Sequence, residues 1–347
     1  HSTSRRQRQM CIRDRGEEAQ EVAFEEEFQY EFKKNLSTLC GGGFNAEDKD
    51  GTFKEAKFAR PLRLALDNEN QKLYVLEADA YKCIREVDLI NEKVSTPWRA
   101  PGLHNLRTIS FGTTCDTLFV GVEGSSSNVS TVFLLRSDGF VRHKTYAPRS
   151  GSNASILNPV DGELFINDYY KGMVLRWDRD KQEMVELVQC FNNNTDFTYC
   201  WSHDGKYLYA LALGGASHSA IVRMEYDFAT KTLGEPNTWV GMDGQLGYQD
   251  GVGEDARINQ PYQMCTGPQG DFFLADTWNH CIRRIVDNAG TATVTTYAGI
   301  GGQLGFTEGD PLEAQLQFPT GVAVSDDGST VYVADKENNR ICKITVE

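Results

Sequence analysis

Residues 250–261 read DGVGEDARINQP, and two other stretches repeat this pattern without a gap. Residues 50–61 read DGTFKEAKFARP, and residues 308–319 read EGDPLEAQLQFP. Each copy has an acid, a glycine, four variable residues, an alanine, an apolar residue and a proline at fixed spacing. The acid, glycine and proline positions are Asp50, Gly51, Pro61, Asp250, Gly251, Pro261, Glu308, Gly309 and Pro319. Recurrence at fixed spacing indicates a repeat architecture, in which each copy belongs to one supersecondary unit.

Each position of the pattern has a physical role. The glycine can adopt positive φ and the acid can accept hydrogen bonds from nearby backbone N–H groups, so the pair predicts a turn. We expect the alanine and the apolar residue to plug a crowded centre. Four consecutive apolar residues follow each copy, as is typical of a strand covered on both faces. These runs are residues 73–76, 272–275 and 331–334, and the next predicted strands are residues 84–87, 282–285 and 341–344.

The middle of the chain keeps the same rhythm. The step from Asp168 to Val174 equals the step from Asp276 to Ile282 and from Asp335 to Ile341. The additional strand pairs are residues 118–120 with 132–135, 164–168 with 174–177, and 207–210 with 221–224. The sequence therefore predicts six units. The sixth lacks a fourth strand, and residues 35–40 resemble the outer strand at residues 294–298, so we predict that residues 35–40 complete it and close a ring.

These repeats resemble the NHL repeat of β-propellers. The resemblance implies an all-β, six-bladed propeller over residues 35–347. Residues 16–34, where Phe28, Tyr30 and Phe32 alternate with polar residues, resemble the end of an immunoglobulin-like IPT/TIG domain. That domain order resembles surface proteins of anaerobic gut bacteria, and a disordered acidic leader is the alternative. Residues 1–15 resemble a translated sequencing adapter and are expected to be a non-native leader.

The charge of the chain excludes some partners. The formal net charge is −14, and the first fifteen residues contain five arginines, so the rest is still more acidic. Such a surface repels phosphate backbones and acidic membranes, which argues against nucleic-acid binding. No apolar run is long enough to span a bilayer. We expect a monomeric propeller, and the resemblance implies an extracytoplasmic location, at a bacterial cell surface or in a periplasm.

The nine cysteines leave the redox compartment open. Their spacing does not match a zinc site. Ring closure would make the strands of Cys40 and Cys342 neighbours, so this pair is the one candidate for a disulfide.

Aromatic and amide residues mark one face of the predicted ring. Loops that join the second and third strands share this face with the loops between blades, and ring faces with polar neighbours suit sugars or peptide side chains. The candidate contacts are Tyr81, Tyr169, Tyr170, Trp278, Asn279 and His280. Packing between blades is the alternative for the aromatic residues. Asp168, Asp276 and Asp335, at strand ends, are expected to hold their own turns.

No nucleophile, phosphate or metal motif is recognisable in the sequence. We therefore expect a non-catalytic module without a cofactor that binds a glycan or a protein through one face. The alternative is a metal-dependent hydrolase or lyase, similar to gluconolactonases or to peptide-amidating lyases. In that case, calcium or zinc would be held in the channel by Glu77, Asn167 and Asp276. The acid-rich stretch at residues 48–51 is interpreted as a turn.

Overall fold

The structure is a computed structural model. It describes residues 10–11, 21–22, 34–43, 45, 47–78, 81–100, 105–112, 114–122, 131–137, 139–146, 154–213 and 219–346. Six antiparallel sheets of four main strands form the six blades of a β-propeller, which confirms the predicted fold class. Met10–Cys11 also pairs with Glu21–Val22. The predicted strand around residues 28–32 lies outside the described residues, so the non-native leader and the immunoglobulin-like remnant stay predictions.

Blades 1 to 3 follow one another along the chain, and their strands are given from the channel outward. Blade 1 contains Pro61–Asp67, Lys72–Glu77, Cys83–Asp88 and Lys93–Arg99. Blade 2 contains Leu106–Phe111, Thr117–Val122, Thr131–Leu135 and Val141–Tyr146. Blade 3 contains Ser155–Leu157, Leu164–Asp168, Met173–Asp178 and Glu183–Gln189. The strands predicted in the degenerate middle of the chain are therefore present.

Blades 4 to 6 repeat the order. Blade 4 contains Phe197–Trp201, Tyr207–Ala212, Ala220–Asp227 and Asn237–Gly241, with the short strand Thr232–Leu233. Blade 5 contains Met264–Thr266, Phe272–Asp276, Cys281–Asn288 and Thr291–Ala298. Blade 6 contains Pro319–Val324, Thr330–Asp335, Arg340–Val346 and Lys34–Gly41. Gly51–Thr52 and Gly251–Val252 extend the outer edges of blades 1 and 5. Three-residue 3-10 turns occur at Gly253–Asp255, Thr277–Asn279 and Lys336–Asn338.

The N-terminal strand closes the ring. Lys34–Gly41 pairs antiparallel with Arg340–Val346, which places Leu36 opposite Ile344. Leu36 also exchanges two backbone hydrogen bonds with Gly309, at 2.7 and 2.9 Å. The predicted closure is confirmed, and the strand begins one residue earlier than the sequence indicated.

The alanine and the apolar residue of the repeat do not fill the centre of the ring. Ala56 and Phe58 belong to an apolar cluster that includes Leu64 of blade 1 and Ile341 of blade 6. The equivalent residues are Ala256 and Ile258, packed with blades 4 and 5, and Ala314 and Leu316, packed with blades 5 and 6. Neighbouring sheets each present an apolar face that must be covered, so the repeat fills the space between blades.

Eight cysteines, all from Cys40 onward, are unpaired, including the candidate pair Cys40 and Cys342. The strand register explains this result, because Cys40 lies opposite Ile341 and Cys342 lies opposite Thr38. Burial raises the pKa of Cys40 to about 12, so its thiol is protonated and unreactive at neutral pH.

Candidate functional site

A buried arginine connects the two acids of blade 5. Asp276 ends the second strand, and its carboxylate accepts hydrogen bonds from the Asn259 N–H at 2.8 Å and the Asn279 amide at 2.9 Å. Arg283 Nη1 donates to Asp276 Oδ2 at 2.9 Å, and its Nη2 donates to Asp250 Oδ1 at 2.7 Å. The acid of the acid-glycine turn is therefore tied to the strand-end acid. This geometry supports the structural role expected for Asp276.

Blades 1 and 6 contain the same arrangement. Asp335 accepts from the Gln317 N–H at 2.7 Å and from Arg340 Nε at 2.7 Å, and Arg340 reaches Glu308 at 3.4 Å. In blade 1, Glu77, Arg85 and Asp50 take the corresponding places, and Arg85 Nη1 and Nη2 lie 3.3 and 3.0 Å from the two acids. Asp168 accepts a hydrogen bond from the N–H of Lys171 in its own turn, at 3.3 Å.

The role of these arginines was not predicted from the sequence. A signal was present, because Cys83-Ile84-Arg85 in blade 1 matches Cys281-Ile282-Arg283 in blade 5. In blade 6 the order is reversed to Arg340-Ile341-Cys342. Arg340 lies directly opposite Asp335 in the strand register, whereas Arg283 lies two residues beyond Cys281, the partner of Asp276. Each arginine nevertheless contacts the two equivalent acids of its own blade. The long, flexible arginine side chain tolerates this exchange, which hides the pattern from a fixed-spacing comparison.

Burial raises the pKa of acids in these clusters. Loss of solvent raises the pKa of Asp276 to about 6, and the positive charge of Arg283 opposes the rise. Burial likewise raises the pKa of Glu77 to about 7, opposed by Arg85. These shifts arise inside clusters whose hydrogen-bonding groups are engaged with one another, so they reflect structure and do not by themselves indicate catalysis.

The pKa of Glu77 predicts how stability changes with pH. The folded pKa is about 7 and the ordinary value is 4.5, so the folded state binds this proton more tightly than the unfolded state. The resulting stabilisation is fully present below about pH 4.5 and is lost as pH rises through about 7. We expect Glu77→Gln to remove on the order of 1–3 kcal/mol of the fall in unfolding free energy between pH 5 and pH 8. Urea titrations at pH 5 and pH 8 measure the unfolding free energy of the wild type and the variant. The exposed Glu47→Gln is the control, and equal pH slopes in wild type and Glu77→Gln would contradict the prediction.

The three metal-ligand candidates do not come together. Glu77, Asn167 and Asp276 are buried in blades 1, 3 and 5, at the ends of second strands rather than on the channel wall. Asn167 is engaged in its surroundings, because its Oδ1 accepts from the Ala154 N–H and its Nδ2 donates to the carbonyl of Phe197. These three residues, named for the alternative metal-dependent enzyme, do not lie together on the channel wall, because the inner strands and not the second strands face the channel.

One group of metal-ligand types occurs among the described residues, at Asp48, Glu77 and Cys83. Arg85 already neutralises it, because its Nη1 lies 3.1 Å from Asp48 and 3.3 Å from Glu77. Arg99 lies 2.6 Å from the other Asp48 oxygen. Burial also raises the pKa of the Cys83 thiol, which disfavours the thiolate that zinc requires. These residues do not fit a calcium or zinc ion.

The candidate aromatic residues lie in loops of three separate blades. Tyr81, in blade 1, is 41% exposed. In blade 3, the rings of Tyr169 and the 48% exposed Tyr170 are in tilted contact, with centroids 4.3 Å apart. In blade 5, Trp278 is 49% exposed and meets Phe318 edge-on at 5.3 Å. The ring spaces these residues around one face, so they do not form a single pocket.

Asn279 and His280 are not available to a ligand in this structure. The Asn279 amide is buried and donates to Asp276 and to the carbonyl of Gly247. His280 is 7% exposed, and its Nδ1 accepts from the Phe318 N–H at 3.2 Å. Its φ of 57° ends the 3-10 turn at Thr277–Asn279. Both side chains stabilise the turn that carries Trp278.

A cavity of about 520 Å³ lies in the central channel. All six inner strands contribute to its wall, and it extends to exposed Pro159 and His203, in the turns joining first and second strands. This is the face opposite to the aromatic loops. The wall combines apolar residues with hydroxyl, amide and imidazole groups; the polar members include Thr108, Ser110, Ser155, Thr198, Ser202, His203 and Gln263. No carboxylate is among the described residues that line it.

The channel narrows toward the start of the inner strands. A cavity of about 20 Å³ lies there, and Arg63 and Thr108 line both this narrow end and the wide cavity. Arg107, Asp196 and Tyr262 complete the polar part of the narrow end. This wall could not be predicted from the sequence, because its residues come from separate blades and share no motif.

Comparison with known proteins agrees with the fold. Residues 316–344 match the model of the NHL repeat. The chain is 24% identical over 305 residues to the chloroplastic protein SUPPRESSOR OF QUENCHING 1 of Arabidopsis thaliana, a match that covers 84% of the chain and 26% of that protein. It is 26% identical over 322 residues to human NHL repeat-containing protein 2, which covers 88% of the chain and 42% of that protein. The chain thus spans less than half the length of these relatives.

A solved structure is similar over nearly the whole chain. An auxiliary nutrient binding protein from Bacteroides thetaiotaomicron superposes with a TM-score of 0.81 and 29% identity, over 97% of this chain and 82% of that one. No helix in the described part is long and apolar enough to cross a membrane. The chain is a six-bladed β-propeller with an NHL repeat in its last blade.

Proposed function

We propose that this chain is a non-catalytic binding module that takes up a small ligand, or one end of a glycan, in the wide part of its central channel. The cavity of about 520 Å³ supports the proposal, because ligand sites typically occupy about 300–1,000 Å³ with few polar groups on an apolar wall. Among the polar groups of the wall, the imidazole of His203 is exposed, so a ligand in the cavity can form a hydrogen bond with it.

The similarity to an auxiliary nutrient binding protein also favours binding over catalysis. A metal-dependent hydrolase or lyase needs carboxylate or histidine ligands around one point of the channel. Among the described residues that line the wide cavity, His203 is the single histidine and there is no aspartate or glutamate. We extend the proposal to an extracytoplasmic location, where a nutrient-binding module meets its ligand.

The proposal is tested by blocking the cavity. A panel of mono- and oligosaccharides is screened by calorimetry, and the hits are measured again with Thr266→Trp. Thr266 lines the cavity, so the indole should occupy part of it, obstruct the ligand and weaken binding by about 100-fold or more. Thr295→Trp, on the exposed outer strand of blade 5, is the matched control and should bind as wild type. Unchanged affinity in Thr266→Trp would rule out the channel.

The exposed rings of Tyr170 and Trp278 support a second candidate site, a surface for a protein or a glycan on the opposite face. Exposed aromatic side chains often dominate such contacts. We expect Tyr170→Ala and Trp278→Ala to weaken binding at this site while the melting temperature changes little. A large fall in melting temperature would instead assign the two rings to packing. The response of one ligand to these variants and to Thr266→Trp identifies which face it uses.

A further inference from the structure

Arg63 is a buried cation at the narrow end of the channel. Its residue is 3% exposed, and it lines both the narrow end and the wide cavity. Its Nε donates to the carbonyl of Arg107 at 3.1 Å, and its guanidinium lies 5.2 Å from the centre of the Tyr262 ring. These contacts fix the plane of the guanidinium. Its two Nη groups form no hydrogen bond or ion pair with any described residue, and neither is a fully enclosed atom without a partner.

The other buried arginines of the described chain are paired. Arg85, Arg176, Arg283 and Arg340 each have a carboxylate oxygen at 3.0 Å or closer. A buried guanidinium without such a partner is costly, because the lost hydration is not replaced. Arg63 therefore differs from every other buried arginine described, in a chain whose net charge is −14.

The charged residues at the narrow end of the channel carry a net positive charge. Asp196 and Arg107 line the same narrow end, so two guanidinium groups face one carboxylate. Asp196 acts on Arg63 through space without a hydrogen bond to it. Burial lowers the pKa of Arg63 to about 10, which still leaves the side chain charged at neutral pH. An anion that reaches the end of the wide cavity would meet a preorganised cation.

We propose that Arg63 binds an anionic oxygen group of the channel ligand, a carboxylate or a phosphate, through its two free Nη groups. Guanidinium geometry matches both groups in a bidentate arrangement. The rest of the ligand occupies the wide cavity, whose open end carries the exposed imidazole of His203. This inference rests on the proposed binding function and specifies its ligand class as acidic small molecules, such as uronic acids or sugar phosphates.

Matched ligands test the inference. Calorimetry with the full chain compares glucose, glucuronate and glucose 6-phosphate at constant ionic strength. We expect one anionic sugar to bind about 10- to 100-fold more tightly than glucose, since a charged bidentate contact is worth that much. Preference for glucuronate identifies a carboxylate ligand, and preference for glucose 6-phosphate identifies a phosphate ligand. A wild-type chain without preference for either anion overturns the proposal.

Two variants separate binding from folding. Arg63→Met should abolish the anion preference and leave the melting temperature of the free protein equal or higher, because methionine fills the volume without an unpaired charge. Arg179→Met, at an exposed arginine in a turn of blade 3, should keep the preference. If Arg63→Met keeps the preference, or if it lowers the melting temperature as strongly as loss of a paired buried arginine does, Arg63 is not the anion site. The wild type could instead bind glucose without an anion preference, and Thr266→Trp could block that binding. This result would support ligand binding in the channel and would refute only the role of Arg63.

Discussion

Replacing Arg283 by methionine is expected to cost about 3–5 kcal/mol of unfolding free energy, which is a large part of the stability of an ordinary domain. The buried Asp276 carboxylate would lose its counterion, and the acid-glycine turn would lose the bond between Arg283 and Asp250 at 2.7 Å. Chemical denaturation monitored by tryptophan fluorescence measures the effect.

The size of this loss distinguishes a paired buried arginine from an exposed one. Arg179→Met removes the same charge from an exposed turn and should change stability by less than about 1 kcal/mol. The double variant Arg283→Met with Asp276→Asn should recover part of the loss, because it no longer leaves a carboxylate unpaired. A loss below about 1 kcal/mol in Arg283→Met would show that the arginine is not needed to hold the turn.

Removal of the ring-closing strand is expected to have a still larger effect. A chain that begins at residue 43 lacks Lys34–Gly41, so Arg340–Val346 loses its outer partner and becomes an open edge. The buried side chains of Leu36 and Cys40 are lost from two apolar clusters. We expect a loss comparable with the whole stability of a domain, about 5–15 kcal/mol, and aggregation through the exposed edge. Circular dichroism and size-exclusion chromatography report both outcomes.

A matched truncation isolates the contribution of the strand. A chain that begins at residue 33 retains the closing strand and should melt as the full chain does. Addition of a synthetic peptide covering residues 33–43 to the shorter chain should restore part of the native signal. Cooperative melting of the shorter chain at the wild-type temperature would show that pairing between Leu36 and Ile344 does not stabilise the ring.

Most of the fold was predictable because its signals are local. The acid-glycine pattern with its proline, followed by runs such as residues 73–76, depends only on neighbours in sequence. Even the closing strand was visible, because its residues resemble the outer strand of blade 5. The packing position of Ala56 and Phe58 could not be predicted in this way, because burial between blades and burial at the centre of the ring require the same residue types.

The site was predicted less well, and the reason is geometric. Tyr170 and Trp278 are exposed, as a role in binding requires, whereas Asn279 and His280 adjoin Trp278 and are buried. In the three-residue 3-10 turn Thr277–Asn279, successive side chains point about 120° apart, so Trp278 faces solvent while Asn279 is buried, and strand periodicity does not predict this. The cavity wall next to Arg63 combines short segments of six inner strands that are far apart in the sequence, so no single stretch of sequence indicates it. Comparison of charges alone would not have distinguished Arg63 from the paired Arg283.

Closure of the ring also determines when the first strand can pair during folding. Thr38 accepts a hydrogen bond from Arg340, a residue 302 positions later in the chain. During synthesis, the closing strand leaves the ribosome before any of the blades and stays without its partner until blade 6 has been made. Contacts of such separation slow folding and leave an unpaired strand exposed to other chains in the meantime. Nascent chains stalled before residue 340 should therefore depend on chaperones more strongly than their completed blades would suggest.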